Sequence, residues 1–264
     1  MVLLATTQEV IPNEFYFMVP TKNPTIIVPA RLASVRFPRK LLADAGGKPL
    51  ILRTAERIKE QVPEFDLYFA VDGDELKSLL ESSGYNVIVT PPHLSSGTDR
   101  IAIANRILKR DLLINVQADE PMVMRDQILM LSEALFHKDV SISTLASIFQ
   151  SEEDFLDPNQ VKVVMDNNGH ALYFSRAPIP FARDSKSGSL PGHSIHAYKH
   201  MGLYGYKKEF LEEFVSSEAG ELESIEKLEQ LRALQSGFRI AVKITEFASV
   251  GVDIPEDLQK IDFS

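Results

Sequence analysis

The stretch that decides the fold is residues 26–40, which read IIVPARLASVRFPRK. Its apolar start predicts a short buried strand over 26–28, and the proline at 29 ends that strand in a loop with four basic residues. Arginine guanidinium groups, a lysine ammonium and the backbone N–H groups of a turn can all bind phosphate oxygens. A basic surface loop after an edge strand would give the same pattern, so these residues alone leave both interpretations open.

Strand and helix patterns alternate outward from this segment. The spacing of Leu50, Ile51, Ala55 and Ile58 predicts an amphipathic helix entered through a Gly-Gly-Lys-Pro turn. Further strands are predicted at 67–71, 86–89 and 112–116, and helices at 74–82 and 98–108. This alternation is typical of an α/β fold with a mostly parallel, doubly wound sheet, which binds ligands beyond the carboxyl ends of its strands.

The second half of the chain is less regular. Residues 161–165 and 171–174 flank the turn sequence DNNG and predict a hairpin, and 202–206 predict another strand. Residues 181–196 are polar and predict a loop. Apolar residues at 222, 225, 228, 231 and 234 predict one helix over 222–234, whose charges are expected to form mostly a solvated face.

Composition restricts the function. The chain has 264 residues, enough for one large domain, and its net charge of -9 argues against a general nucleic-acid binder. It contains no cysteine, which excludes disulfides and thiolate catalysis. Residues 1–24 lack the basic start of a signal peptide and are interpreted as an N-terminal extension, and no run is long enough to insert into a membrane. Cytoplasmic residence is compatible with this composition.

Two aspartates and one helix start are candidates for chemistry. Asp119 follows the strand predicted at 112–116, and Asp253 lies in VGVDIPEDL, residues 250–258. Carboxylates at strand ends suit Mg²⁺, although Asp253 before a proline could equally be a helix N-cap. Ser96 and Thr98 flank Gly97 where a helix is predicted to begin, so free N–H groups there could bond a nucleobase or simply be capped.

Several segments in this order resemble the CMP-Kdo synthetases, the 3-deoxy-manno-octulosonate (Kdo) cytidylyltransferase family. They are residues 26–40, SSGTDR at 95–100, VQADEP at 116–121, YFSRAPIP at 173–180, HMGLYGY at 200–206, LESIEKLEQLR at 222–232 and GVDIPEDL at 251–258. The resemblance implies a nucleotide-diphospho-sugar transferase-like fold with a smaller mixed α+β lobe. It also implies a cytoplasmic homodimer of lipopolysaccharide biosynthesis that transfers CMP from CTP to the anomeric hydroxyl of Kdo, with Mg²⁺ as cofactor.

The same resemblance assigns roles to residues within a nucleotide-binding half, about 25–150, and an acceptor-sugar and dimer half, about 151–264. The catalytic residues are Arg31, Arg36, Lys40 and Asp119, and the metal ligands are Asp119 and Asp253. The nucleotide is assigned to Arg31, Lys40, Asp72, Ser96, Gly97, Thr98, Arg100 and Gln117. The acceptor sugar is assigned to Arg36, Gln117, Arg176, His200, Tyr204 and Glu223.

Alternatives remain at this stage. The acceptor could be the 8-amino analogue of Kdo or another 2-keto sugar acid such as sialic acid. A regulator that binds nucleotide sugars without catalysis is the alternative of a different class. Two departures from the family pattern stand beside the candidate site: Ala118 and Arg39 each replace a glycine. A positive φ at Ala118 would be strained, and Arg39 makes the loop more basic and less pliable.

Overall fold

The computed structural model describes residues 23–34, 36–183, 197–247 and 251–263. The predicted N-terminal extension, except for its last two residues, and most of the predicted loop at 181–196 lie outside this part of the chain. Within it, no helix is both long enough and apolar enough to cross a membrane.

One mixed sheet organises the described residues. Its strands are β1 (Thr25–Ala30), β2 (Leu67–Val71), β3 (Asn86–Val89), β4 (Leu112–Asn115), β5 (Ile142–Ile148), β6 (Lys162–Met165), β7 (Ala171–Ser175), β8 (Tyr198–Lys207) and β9 (Ile240–Ile244). Their order is β3-β2-β1-β4-β8-β5-β9, and the β6–β7 hairpin joins through β6 to the start of β8.

The nucleotide-binding half of the sheet is parallel, as the sequence predicts. β1 pairs in parallel with both β2 and β4, and β2 pairs in parallel with β3. All six residues of β1 are buried, which is typical of a central parallel strand covered on both faces. β8 then inserts antiparallel between β4 and β5, and β9 pairs in parallel with β5.

Helices cover both faces of the sheet. They are α1 (Leu50–Gln61), α2 (Asp74–Ser82), α3 (Gly97–Leu108), α4 (Arg125–Ala134), α5 (Glu152–Leu156), α6 (Lys208–Ser216), α7 (Glu221–Glu226) and α8 (Gln230–Gln235). One core cluster packs α1, α2 and α4 against the sheet, and a second packs α3, α6 and α8 against the opposite face. The predicted α/β, doubly wound architecture is therefore confirmed.

The single helix predicted over 222–234 is wrong. The structure has two short helices, α7 and α8, separated at Lys227, which adopts φ 55° and donates its N–H to the Glu223 carbonyl as a left-handed C-cap. A strict spacing of three residues does not stay on one face of a continuous α-helix, because each step falls about 60° short of a full turn. The break lets Leu228 and Leu231 reach the core while Ile225 stays 69% exposed.

Candidate functional site

A cavity of about 410 Å³ opens where β1 and β4 end at their carboxyl edge. The position is the one expected for a ligand of a doubly wound sheet. Three basic residues of the β1 loop line it, namely Arg31, Arg36 and Lys40. The remaining predicted site residues in its wall are Ser96, Gly97, Arg100, Gln117, Asp119 and Asp253.

A cluster of opposite charges occupies one wall of the cavity. The Lys40 ammonium bonds the Asp119 carboxylate and lies 3.7 Å from Asp253 Oδ1. Arg36 Nη2 donates to the same Asp253 oxygen at 2.8 Å. Lys40 is only 12% exposed, whereas Asp253 is 55% exposed, so the lysine is held and one carboxylate still faces solvent. The structure thus brings these four predicted site residues together.

Asp253 is not a helix N-cap, so that alternative is wrong. The 3₁₀ turn Pro255–Lys260 begins after Ile254, and the Asp257 carboxylate accepts from the N–H groups of Asp253 and Ile254. Asp257 therefore satisfies the turn, and the Asp253 side chain is available to the cavity. The Val252 N–H donates to the Asp119 carbonyl at 3.0 Å, which ties this segment to the end of β4.

The donor set fits a magnesium ion that shares its coordination with a substrate. Two carboxylates, Asp119 and Asp253, converge on the same ammonium, so one cation can reach both. Among the described residues, no group of three or more His, Asp or Glu side chains could hold a metal. Mg²⁺ commonly binds through one or two carboxylates and takes its remaining ligands from phosphates and water. The magnesium site itself stays a prediction.

The start of α3 forms the facing wall. Ser96 caps the helix by accepting from Asp99 N–H, and Asp99 in turn accepts from Ser96 N–H, both at 3.1 Å. A Cβ on Gly97 would lie 3.2 Å from Pro29 Cγ, so glycine permits the close approach of α3 to the end of β1. The helix is thus both capped and exposed to the cavity at its positive end.

Arg100, the fourth residue of α3, lines the cavity and is almost completely buried. Its Nη1 bonds Thr90 Oγ1, which donates to the Val71 carbonyl. Burial lowers the pKa of the guanidinium, and Asp72 opposes that effect electrostatically, yet arginine remains charged. Asp72 does not line the cavity, and its nucleotide contact stays a prediction.

The predicted acceptor residues divide into two groups. Gln117 lines the cavity, where its Nε2 contacts Asn115 Oδ1 at 3.3 Å and the Gly202 carbonyl at 3.4 Å. Arg176 does not line it, because its guanidinium donates to the carbonyls of Glu226, Pro158 and Lys227 at 2.8, 3.0 and 3.4 Å. In this arrangement Arg176 ties the end of β7 to α7.

His200 and Tyr204 lie side by side on β8, with ring centroids 5.5 Å apart, outside the cavity wall. His200 Nε2 is 3.0 Å from Thr144 Oγ1, and its ring meets Phe174 edge-on. Burial lowers the pKa of His200 to about 3, so the ring is neutral near pH 7. Burial also raises the pKa of Tyr204. Both side chains can therefore only offer neutral hydrogen bonds.

The charges of the α7–α8 segment are not the solvated face that the sequence predicts. Glu223 bonds Arg232 through both carboxylate oxygens, at 2.8 and 2.9 Å, and the pair is largely buried. Arg232 also lies over the Phe214 ring, 4.3 Å from its centroid. Glu223 is thus held by an internal ion pair, and its sugar contact stays a prediction.

Glu229 is a polar residue of interest that the sequence analysis missed. Its Oε2 accepts from Thr98 Oγ1 at 2.7 Å, so it connects α8 to the first turn of α3. Burial raises the pKa of this carboxyl, and its Oε1 is buried without a hydrogen-bond partner among the described residues. Thr98 itself points to Glu229 rather than into the cavity. No local pattern reveals this contact, because Thr98 and Glu229 are 131 residues apart in the sequence.

The two departures from the family glycines have different consequences. Ala118 is buried and is not among the described residues with positive φ, so it carries no strain of that kind. Arg39 adopts φ 58° and ψ 28°, in the left-handed region that favours glycine. Its guanidinium bonds Glu75, an exposed pair that holds the loop toward α2.

Comparison with known proteins agrees with this geometry. The sequence model of the family described as "Cytidylyltransferase" matches residues 25–244. A 3-deoxy-manno-octulosonate cytidylyltransferase from Thermodesulfovibrio yellowstonii is 42% identical over 241 residues, covering 88% of this chain and 94% of the relative. An 8-amino-3,8-dideoxy-manno-octulosonate cytidylyltransferase from Shewanella baltica is 41% identical over 246 residues, covering 91% and 97%.

A solved structure shares the fold as well. It is a CMP:2-keto-3-deoxy-manno-octonic acid synthetase complexed with CTP, which superposes with a TM-score of 0.83 at 31% identity and covers 90% of this chain and 96% of that one. The family model spans the parallel half, the antiparallel insertion of β8 and the strand β9. The chain therefore belongs to the cytidylyltransferase family.

Proposed function

We propose that this protein transfers CMP from CTP to the anomeric hydroxyl of 3-deoxy-manno-octulosonate, giving CMP-Kdo and pyrophosphate for lipopolysaccharide biosynthesis. The observation that carries the proposal is the cavity in which Arg31, Arg36 and Lys40 face Asp119 and Asp253. A triphosphate needs the cations, and a magnesium ion needs the carboxylates. Relatives that align over about nine-tenths of this chain and carry the corresponding activity in their names support it.

The geometry suggests a division of labour in this reaction. The anomeric hydroxyl gives its proton to water and its oxygen attacks the α-phosphorus, while the bond from that phosphorus to the β-phosphate oxygen breaks and pyrophosphate leaves with the bonding electrons. The basic loop neutralises charge on the leaving pyrophosphate, with the N-terminal end of α3 as a further positive wall. Positioning and charge neutralisation provide most of the acceleration in such transfers, so no general base among the described residues is assigned.

Asp119 and Asp253 would hold the magnesium ion in this proposal. When bound, Mg²⁺ neutralises phosphate charge and polarises the reacting phosphoryl group. Lys40 lies between the two carboxylates, bonded to Asp119 and 3.7 Å from Asp253 Oδ1. It also lines the cavity, where its ammonium would neutralise the outer phosphates of CTP.

Two acceptors are compatible with the comparisons. Relatives named for Kdo are 41–43% identical to this chain, and those named for the 8-amino analogue are 41% identical, so identity does not separate them. The discriminating experiment measures pyrophosphate release from CTP and Mg²⁺ with Kdo, 8-amino-Kdo and sialic acid at equal concentrations. We expect Kdo to give the highest kcat/KM, and a clear preference for one of the other sugars would replace the assignment.

We place the enzyme in the cytoplasm, where CTP is available, as a homodimer. β7 pairs only with β6 among the described strands, and Leu172 on it is 62% exposed, which suits a subunit contact. Light scattering of the purified chain tests the dimer.

A regulator that binds nucleotide sugars without catalysis is less favoured, because Lys40, Asp119 and Asp253 are all present and meet. Absence of turnover with every sugar would restore that alternative.

A further inference from the structure

A small apolar cluster lies beneath the charged wall of the cavity, separate from the two main cores. Its buried members are Ala45, Leu50, Val252 and Ile261, and its partly buried members are Phe37, Met122, Leu258 and Phe263. We call it the satellite cluster. It is much smaller than the clusters on either face of the sheet, and local opening is favoured where few buried apolar side chains pack together.

The satellite cluster joins the segments that carry the reactive charges. Phe37 adjoins Arg36 in the basic loop, and Val252 adjoins Asp253. Met122 follows Asp119 by three residues. Side chains that point into the cluster therefore fix the backbone from which the neighbouring charged side chains point into the cavity.

The end of the described chain closes this cluster. Ile261 is buried in it, and the Phe263 ring lies under the Arg53 guanidinium, 5.4 Å from its carbon to the ring centroid. Arg53 Nε donates to the Ala45 carbonyl at 2.7 Å, and its Nη2 donates to the Gly46 carbonyl. Arg53 on α1 thus contacts both the turn before that helix and the ring of Phe263.

Gly46 shows how closely these parts approach. It adopts φ 67°, and a Cβ added there would lie 3.0 Å from both Arg53 Nη2 and Phe263 Cβ. The turn therefore needs glycine for its conformation and for the space that the guanidinium and the ring occupy.

We propose that residues 251–263 form a latch, in which Phe263 and Arg53 are positioning residues that hold Asp253 and Arg36 against the cavity. The latch is a structural inference of its own, and its consequence for metal-dependent turnover rests on the proposed function. Neither residue lines the cavity, so each acts through the satellite cluster rather than on the substrate.

The test compares Phe263→Ala with wild type by hydrogen exchange and by kinetics. Exchange of the amides at 252–254 and 256–257 should speed up, while the amides of β1 stay protected. The Mg²⁺ concentration for half-maximal rate should rise about three- to tenfold, because both the contact of the ring with the guanidinium and its packing in the satellite cluster are lost. At saturating Mg²⁺, kcat should stay within about twofold of wild type.

Three variants sharpen the comparison. Phe263→Tyr keeps a ring under Arg53 and should restore wild-type exchange and Mg²⁺ dependence. Phe136→Ala removes a 45% exposed phenylalanine two residues after the end of α4 and should change neither. Arg53→Ala combined with Phe263→Ala should have less than the sum of the single effects, because the two residues act as one unit.

Each result has a definite meaning. Unchanged exchange at 252–257 in Phe263→Ala would overturn the latch. Faster exchange with an unaltered Mg²⁺ requirement would overturn the positioning role and leave the ring a purely structural residue. If wild type transfers no CMP to any sugar while the exchange pattern follows the expectation, the latch stands and the proposed function fails.

Discussion

Replacement of Lys40 by methionine removes the central charge of the cavity and keeps the length of its side chain. In the enzyme we expect this ammonium to act on negative charge that develops on the leaving pyrophosphate. Two unit charges about 4 Å apart at an effective dielectric constant of about 20 interact by about 4 kcal/mol. Lys40 is only 12% exposed, so solvent screens it weakly. The kcat for CMP transfer should then fall by about 10³-fold.

The binding of CMP provides the internal comparison. CMP lacks the two outer phosphates, so Lys40→Met should weaken it by less than about tenfold. Pyrophosphate release at saturating CTP measures the first effect, and isothermal titration with CMP measures the second. Lys48→Met is the matched control, because Lys48 is 48% exposed, pairs with Glu56 at 2.6 Å and lies outside the cavity. Its kinetics should match wild type.

Equal losses in turnover and in CMP affinity would refute the division of labour assigned to Lys40. A fall in the melting temperature of more than a few degrees in Lys40→Met would instead show that the Lys40–Asp119 pair stabilises the fold. The melting temperature is therefore measured alongside.

Three further predictions follow from the geometry. Asp253→Asn should keep the melting temperature and lower turnover by orders of magnitude, since its carboxylate is one of the two that would hold Mg²⁺ and the turn at 255–260 does not need it; near-normal rates at saturating Mg²⁺ would contradict this. Arg39→Gly should stabilise the protein by up to ~0.8 kcal/mol, because it removes a left-handed backbone cost of about 1 kcal/mol and loses an exposed Glu75 pair worth about 0.2–1 kcal/mol; a lower denaturation midpoint would count against it. Because the pKa of His200 is about 3 when folded and near 6.5 when unfolded, the unfolded state binds more protons between those values. Stability is complete above pH 6.5 and falls as pH drops toward 3, by up to about 2 kcal/mol at pH 5; His200→Gln should flatten that slope, and an unchanged slope would show that the ring is not the titrating group.

The parallel half of the fold could be predicted because its determinants are local. Strand and helix periods in this half alternate without interruption, and the basic loop directly follows the short apolar strand predicted at 26–28. The meeting of Lys40 with Asp119 follows from a general rule, since neighbouring parallel strands end at the same edge. For Asp253, spacing alone left a helix cap equally acceptable, and the family resemblance was needed to favour the site.

The second half could not be predicted to the same depth, because its determinants are distant in sequence. Nothing in residues 198–207 specifies that β8 lies between β4 and β5, and its first residues also pair with β6. The helix break at Lys227 and the burial of the Glu223–Arg232 pair both depend on such contacts, and the sequence predicted neither. Whether a charged side chain is exposed depends on tertiary packing, and the periodicity of a sequence carries no information about that packing.

The central position of β8 has a consequence for the order in which the protein is made. A ribosome releases β1 to β4 early, and these strands can pair in parallel as soon as their helices are available. The outer edge of β4 then stays open until β8 leaves the exit tunnel, because its partner is Tyr204–Lys207, far along the chain. During that interval the nascent chain presents a bare apolar strand edge, which is a template for pairing with another chain. Synthesis that stalls between β5 and β8 should thus yield the most aggregation-prone fragments, and chaperones should engage the nascent chain in this window.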